Sequence, residues 1–101
     1  MLDEFEKSIE KQLDYCKELL TAKGQEYTAG KEDRLLVFKK AAVMQGVSPK
    51  KALAGMMVKH TVSIYDMSHG DYPIEKWEEK ITDHINYLLL LKALIEEENH
   101  E

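Results

Sequence analysis

Five glycines and two prolines are the only strong backbone breakers in 101 residues, and they set what this chain can fold into. They gather in three places, the "GQEYTAGKED" stretch after position 23, the "GVSP" join at 46–49 and the "GDYP" join at 70–73; only Gly55 stands apart. Glycine and proline are the residues helices tolerate least, so each cluster is a natural stop or start. The four segments between them are rich in Ala, Leu, Glu and Lys, which favour helix. An all-α fold follows, a bundle of four to five helices.

The segments can be bounded more closely. The first runs over about 2–23, with Leu2, Phe5, Ile9, Leu13, Cys16 and Leu20 at three- and four-residue spacing, and Gly24 as its stop. The second runs over about 32–45, with Leu35, Phe38, Ala42 and Leu36 turned inward, and Gly46 ends it. Ser48 is a good N-cap and Pro49 suits the first helical position, so a third helix spans about 49–67. After "SHGDYP", where Pro73 suits a first helical turn, a fourth spans about 74–98. No repeat, low-complexity tract or dividing linker interrupts residues 1–101, which read as a single domain with a frayed acidic tail over 97–101.

The totals exclude several classes. A net charge of −5 opposes non-specific nucleic-acid binding, since phosphates would be repelled. One cysteine, Cys16, excludes an internal disulfide and a multi-thiolate metal site, and fits a reducing, cytoplasmic compartment. The start "MLDEFEKSIEKQL" carries acids where a secretory signal carries bases. The longest apolar run, "YLLLL", is too short to span a bilayer.

The fourth segment changes character along its length. At about 100° per residue, Glu75, Asp83 and Asn86 all fall within roughly 40° of Glu79. Trp77, Ile81, His84, Leu88 and Ile95 gather near the opposite side. Further on, the acidic stripe becomes Leu90, Ala93 and Leu94, flanked by Leu89. A helix that is apolar nearly all round needs cover on two sides, and a homodimer supplies the second. The acids then sit at the mouth of that interface, placed to hold a divalent cation such as Mg²⁺. The competing reading is a solvated face with the leucines packed inside one chain.

The third segment places Lys59, Ser63 and Asp66 on one stripe, extended by Gly55 and Ala52, with Leu53, Met57 and Ile64 on the core side. Lys59 could meet a phosphate, or pair with Asp83 or Glu79 as a plain ion pair. His60 and His84 lie on the apolar sides of their helices, where a hydrogen-bonded core histidine is the commoner role. No H-x-x-x-H, HExxH, P-loop, GxGxxG or G-x-S-x-G is present, so the spacing points to neither a zinc site nor the common nucleotide loops. Lys39, Lys40, Lys50 and Lys51 flank the join at Gly46, as in a helix-turn-helix. The third helix nonetheless spends its length on Met, Ala, Val and Ile, which a base-reading helix does not.

Taken together, "KGQEY", "DRLLVFKKAA", "MMVKHTVSIYD" and "EKITDHINYLLLL" resemble the MazG-like families of the all-α nucleoside triphosphate pyrophosphohydrolase superfamily, and most of all its small phage or prophage members. The resemblance covers about 23–95 and is strongest at Asp83, Asn86 and Tyr87. It implies a bundle that dimerises, at times as a dimer of dimers. It also implies Mg²⁺ held by acid pairs on two helices, and hydrolysis of a nucleoside triphosphate to monophosphate and pyrophosphate. Carried over, Asp83 and Glu79 would hold the metal, Asp66 would assist, and Lys59 would contact phosphate. Ser63, Asn86, Tyr87, Glu26 and Tyr27 would line the ligand site. The pattern departs in two places: Asp83 follows Glu79 by four positions rather than three, and Lys59 stands where an acid is expected. A non-catalytic, homo-oligomeric helical module is the alternative.

Overall fold

The computed structural model describes residues 3–28 and 33–99, with the side chains of 3–21 and 33–99. Every regular element among them is a helix: α1 (Glu4–Thr28), α2 (Leu36–Gln45), α3 (Pro49–Met67) and α4 (Ile74–Glu98). The all-α expectation holds. No described helix is long and apolar enough to cross a membrane.

The chain divides into two compact units, Met1–Glu32 and Asp33–Glu101. In the first, the Asp3 carboxylate accepts from the Glu6 amide at 2.8 Å and so caps α1. The helix does not stop at Gly24 as expected but continues to Thr28. One glycine costs a helix only about 1 kcal/mol, so it ends a helix only where nothing beyond it favours continuing. Phe5, Ile9 and Leu13, expected to face inward, are exposed, while Cys16 is buried and its Sγ accepts from Gln12 at 3.2 Å. Leu2 lies outside the described residues.

The second unit holds α2, α3 and α4, with α3 packed against both of the others. The start of α2 falls later than expected. The Asp33 carboxylate accepts from the Leu35 amide at 2.9 Å, forming a local turn that competes with helix. Leu35, Phe38 and Ala42 are buried as their spacing requires. Gly46 then closes α2 in the left-handed region at φ 69°, and the Val47 amide reaches back to the Ala42 carbonyl at 3.0 Å. Ser48 accepts from the Lys51 amide at 3.3 Å, starting α3 where the sequence places it. Pro73 sits one position earlier than a first-turn residue, capping α4 in an extended conformation.

Leu35, Phe38, Leu53 and Leu94 form the core of this unit, with Met56, Met57, Tyr87, Leu90 and Leu91 around it. That list reverses the expected roles of the two sides of α4. Leu90 and Leu94, assigned to a second interface, serve the chain's own core, and Ile81, Leu88 and Ile95 are exposed. The acidic stripe therefore enters the protein: Glu75 and Glu79 are exposed, Asp83 is half-buried and Asn86 is buried.

An ionic tie closes the unit. Lys39 on α2 donates to both Asp33 and Glu97, and Lys50 approaches Glu98 at 3.7 Å. Two of the four lysines that suggested a DNA-facing join are thus engaged by acids. The hydrogen bond from Lys39, then that from the Leu35 amide, holds the Asp33 carboxyl below its ordinary 3.8. The hydrogen bonds to Asp33, then Glu97, raise Lys39 above 10.5. A lowered carboxyl pKa stabilises the fold above the unfolded value and loses that effect as pH falls through the folded one. The raised lysine loses its effect only as pH climbs past its own folded value. Lys39→Met should therefore lower the melting temperature modestly across neutral pH. The deficit should shrink once the pH is taken below 3.8. A deficit that persists undiminished in acid would assign the effect to the packing of the lysine stem.

Candidate functional site

Polar groups converge where α3 passes α4. The His60 ring on α3 lies 4.7 Å from that of Tyr87 on α4, tilted by 40°. Phe38 of α2 meets Tyr87 edge-on at 6.2 Å, bracing it from the core side. Burial holds the His60 pKa below its usual value, opposed by the Asp83 charge and reinforced by Lys80, His84 and Lys59. Its imidazole is accordingly neutral at neutral pH and can accept a hydrogen bond. Asp83, Lys80 and His84 of α4 are thus within electrostatic reach of one α3 histidine.

Two atoms in these turns of α4 are buried without a hydrogen-bond partner, Asn86 Oδ1 and His84 Nδ1. Asn86 is only 7% exposed. A buried acceptor left unpaired costs about 1–3 kcal/mol, so a carbonyl of this kind is a point at which a ligand or water would gain most. Thr82, four residues before Asn86 on the same helix, is fully buried as well.

Comparison with protein-family models, curated proteins and solved structures found no match. The seam stands on its own chemistry.

Of the residues singled out in the sequence, Asp83, Asn86 and Tyr87 occupy three neighbouring positions of this seam, and Ser63 is half-buried on α3. Lys59, Asp66 and Glu79 are exposed. Among the described residues no ion pair joins Lys59 to Asp83 or Glu79, so the plain structural bridge is not formed. Glu26 and Tyr27 lie in the last turns of α1, with side chains outside those described. His60, left between core and function by the sequence, is the residue most closely engaged with Tyr87. Its signal in the sequence was weak, because a single histidine at a core register has no spacing partner. Thr82 was missed, although its four-residue offset from Asn86 was visible.

The carboxylates fit a magnesium site only in part. Among the described residues no group of three or more His, Cys, Asp and Glu side chains is placed to hold a metal ion. Glu79 and Asp83 are one turn apart on one helix, and α3 offers only the exposed Asp66. Among the described residues, one chain therefore does not build the two acid pairs that the family resemblance implies. An open recess at the far end of α4, lined by Ile95, Glu96, Glu97 and Asn99, belongs to a single helix end and carries none of these groups.

Proposed function

We propose that the chain is a MazG-like nucleotide-binding protein, homo-oligomeric, which takes a nucleoside triphosphate or related phosphorylated ligand at the α3–α4 seam. Its reaction in this reading is cleavage to nucleoside monophosphate and pyrophosphate. The observation that carries the reading is Asn86, nine-tenths buried with an unpartnered Oδ1, one turn beyond Asp83. Tyr87 lies against His60 of α3, Ser63 is half-buried one turn further along α3, and the exposed Lys59 is available to phosphate. Asp83 and Glu79, with Asp66 assisting, would face the Mg²⁺ that accompanies a triphosphate. Magnesium is commonly held by one or two carboxylates with substrate phosphates and water completing its shell. Glu26 and Tyr27 belong to this reading through the family resemblance alone, as do a phage or prophage source and a cytoplasmic setting.

The homo-oligomer is supported by α4 itself. Ile74, Ile81, Leu88 and Ile95 recur every seven residues and are 65%, 40%, 48% and 36% exposed, an apolar row that keeps surface for a partner. Heptad spacing of this kind pairs helices.

Thermal unfolding with and without Mg²⁺, across ribo- and deoxynucleoside triphosphates, tests the site. A ligand at a hundred times its Kd adds about 2.7 kcal/mol. Asp83→Asn should remove the Mg²⁺-dependent part of that gain and leave the ligand-free melting temperature unchanged. Absence of a shift with every nucleotide would sink the reading. A second reading, a homo-oligomeric module without catalysis, draws on the lack of any three-membered His, Cys, Asp or Glu group among the described residues. A nucleotide shift that Mg²⁺ does not affect, with no pyrophosphate released, would favour it.

A further inference from the structure

We propose that His60 and Tyr87 together form the platform on which the base of the bound nucleotide rests, so that His60 is a ligand-contacting residue of the site. The inference rests on the nucleotide reading above and deepens it. Its ground is geometric: two planar rings from different helices pack against each other, centroids 4.7 Å apart and tilted by 40°. Both residues are half-buried, so each keeps surface for a ligand. Phe38 holds Tyr87 from behind at 6.2 Å, which fixes the platform rather than leaving it to rotate. The imidazole is kept uncharged by burial, and an uncharged ring can lie against a heterocycle without the cost of desolvating a cation. In the same turns of α4, Asn86 Oδ1 and His84 Nδ1 are polar atoms still without a partner, and the edge of a base carries the N–H and carbonyl groups that satisfy such atoms. Phosphates, by contrast, need cations, and the exposed Lys59 and the half-buried Lys80, whose charges both act on His60, would supply them. The seam thereby separates into an aromatic part for the base and a charged part for the phosphates.

Stacking on an aromatic ring is lost when the ring is truncated, and its loss weakens binding about tenfold or more. The test measures binding of the four ribonucleoside triphosphates and of inorganic tripolyphosphate by calorimetry, for wild type, His60→Ala, His60→Gln and His60→Phe. The expected result is a wild type that prefers at least one nucleotide over tripolyphosphate. His60→Ala and His60→Gln should then lose about tenfold for that nucleotide and nothing for tripolyphosphate, and His60→Phe should retain most of the affinity. The glutamine variant decides the matter if the alanine variant does not fold. Equal losses for nucleotide and tripolyphosphate, no loss at all, or a phenylalanine variant as weak as glutamine would each overturn the platform. Those outcomes leave the nucleotide site standing. Only a wild type that binds no nucleotide removes both.

Discussion

Leu53→Ala is expected to lower the unfolding free energy by about 2–5 kcal/mol, the range for a fully buried leucine whose neighbours cannot collapse into the space. Leu53 has no exposed surface and lies on α3, the helix that packs against both α2 and α4. Its loss leaves Leu35, Phe38 and Leu94 facing a cavity at the centre of this unit's core. Against a total stability of about 5–15 kcal/mol for an ordinary domain, the change is large. Urea denaturation followed by circular dichroism reads it directly. A shift under about 1 kcal/mol would mean that the site relaxes, and that the packing of α3 is looser than the burial of Leu53 requires.

Leu88→Lys is expected to convert the proposed homo-oligomer to single chains while leaving each chain folded. Leu88 is about half exposed, so within one chain a lysine can extend its ammonium into water. In a symmetric helix pair the same substitution enters the interface from both copies, and two unpaired charges there cannot be hydrated. Sedimentation velocity at micromolar concentration separates the outcomes, and an unchanged coefficient would remove the Ile74–Ile81–Leu88–Ile95 seam as the contact. Leu90→Lys, which looks like a similar substitution in the sequence, is a different experiment. Leu90 packs against the chain's own core, so a lysine there should unfold the second unit whatever its oligomeric state.

The contrast between Leu88 and Leu90 shows where sequence reading reached and where it stopped. Helix boundaries governed by a local interaction were legible. Ser48 and Pro49 start α3, Gly46 closes α2, and α4 runs from Ile74 to Glu98 as its composition demands. Residues at the ends of helices satisfy their own backbone groups, so the instructions are adjacent in the chain. The inward set of α2 followed from spacing, since Leu35, Phe38 and Ala42 stand three and four residues apart and are buried, while the equally apolar Val37, Val43 and Met44 are exposed. Gly24 misled for the converse reason, since a glycine weakens a helix without ending it.

The site was legible only as fragments. Asp83, Asn86 and Tyr87 could be set on consecutive turns of one helix, and the His60 and Lys59 positions on another. Which turn of α3 meets which turn of α4 depends on how the two helices cross, a relation between residues far apart in sequence. Only that crossing brings the His60 ring to Tyr87 and the charge of Asp83 to bear on His60.

By itself the sequence determined an all-helical chain, most of its element boundaries, the core side of α2 and α3, and the stripe of acids that becomes leucine along α4. The tertiary structure decided which side of α4 faces the core. Both sides are apolar in the second half of that helix, so the hydrophobic effect, being non-directional, does not choose between them from the sequence. The choice falls to packing: Leu90, Leu91 and Leu94 join Leu53 and Phe38, and this turns Asn86 inward and leaves Leu88 to the surface.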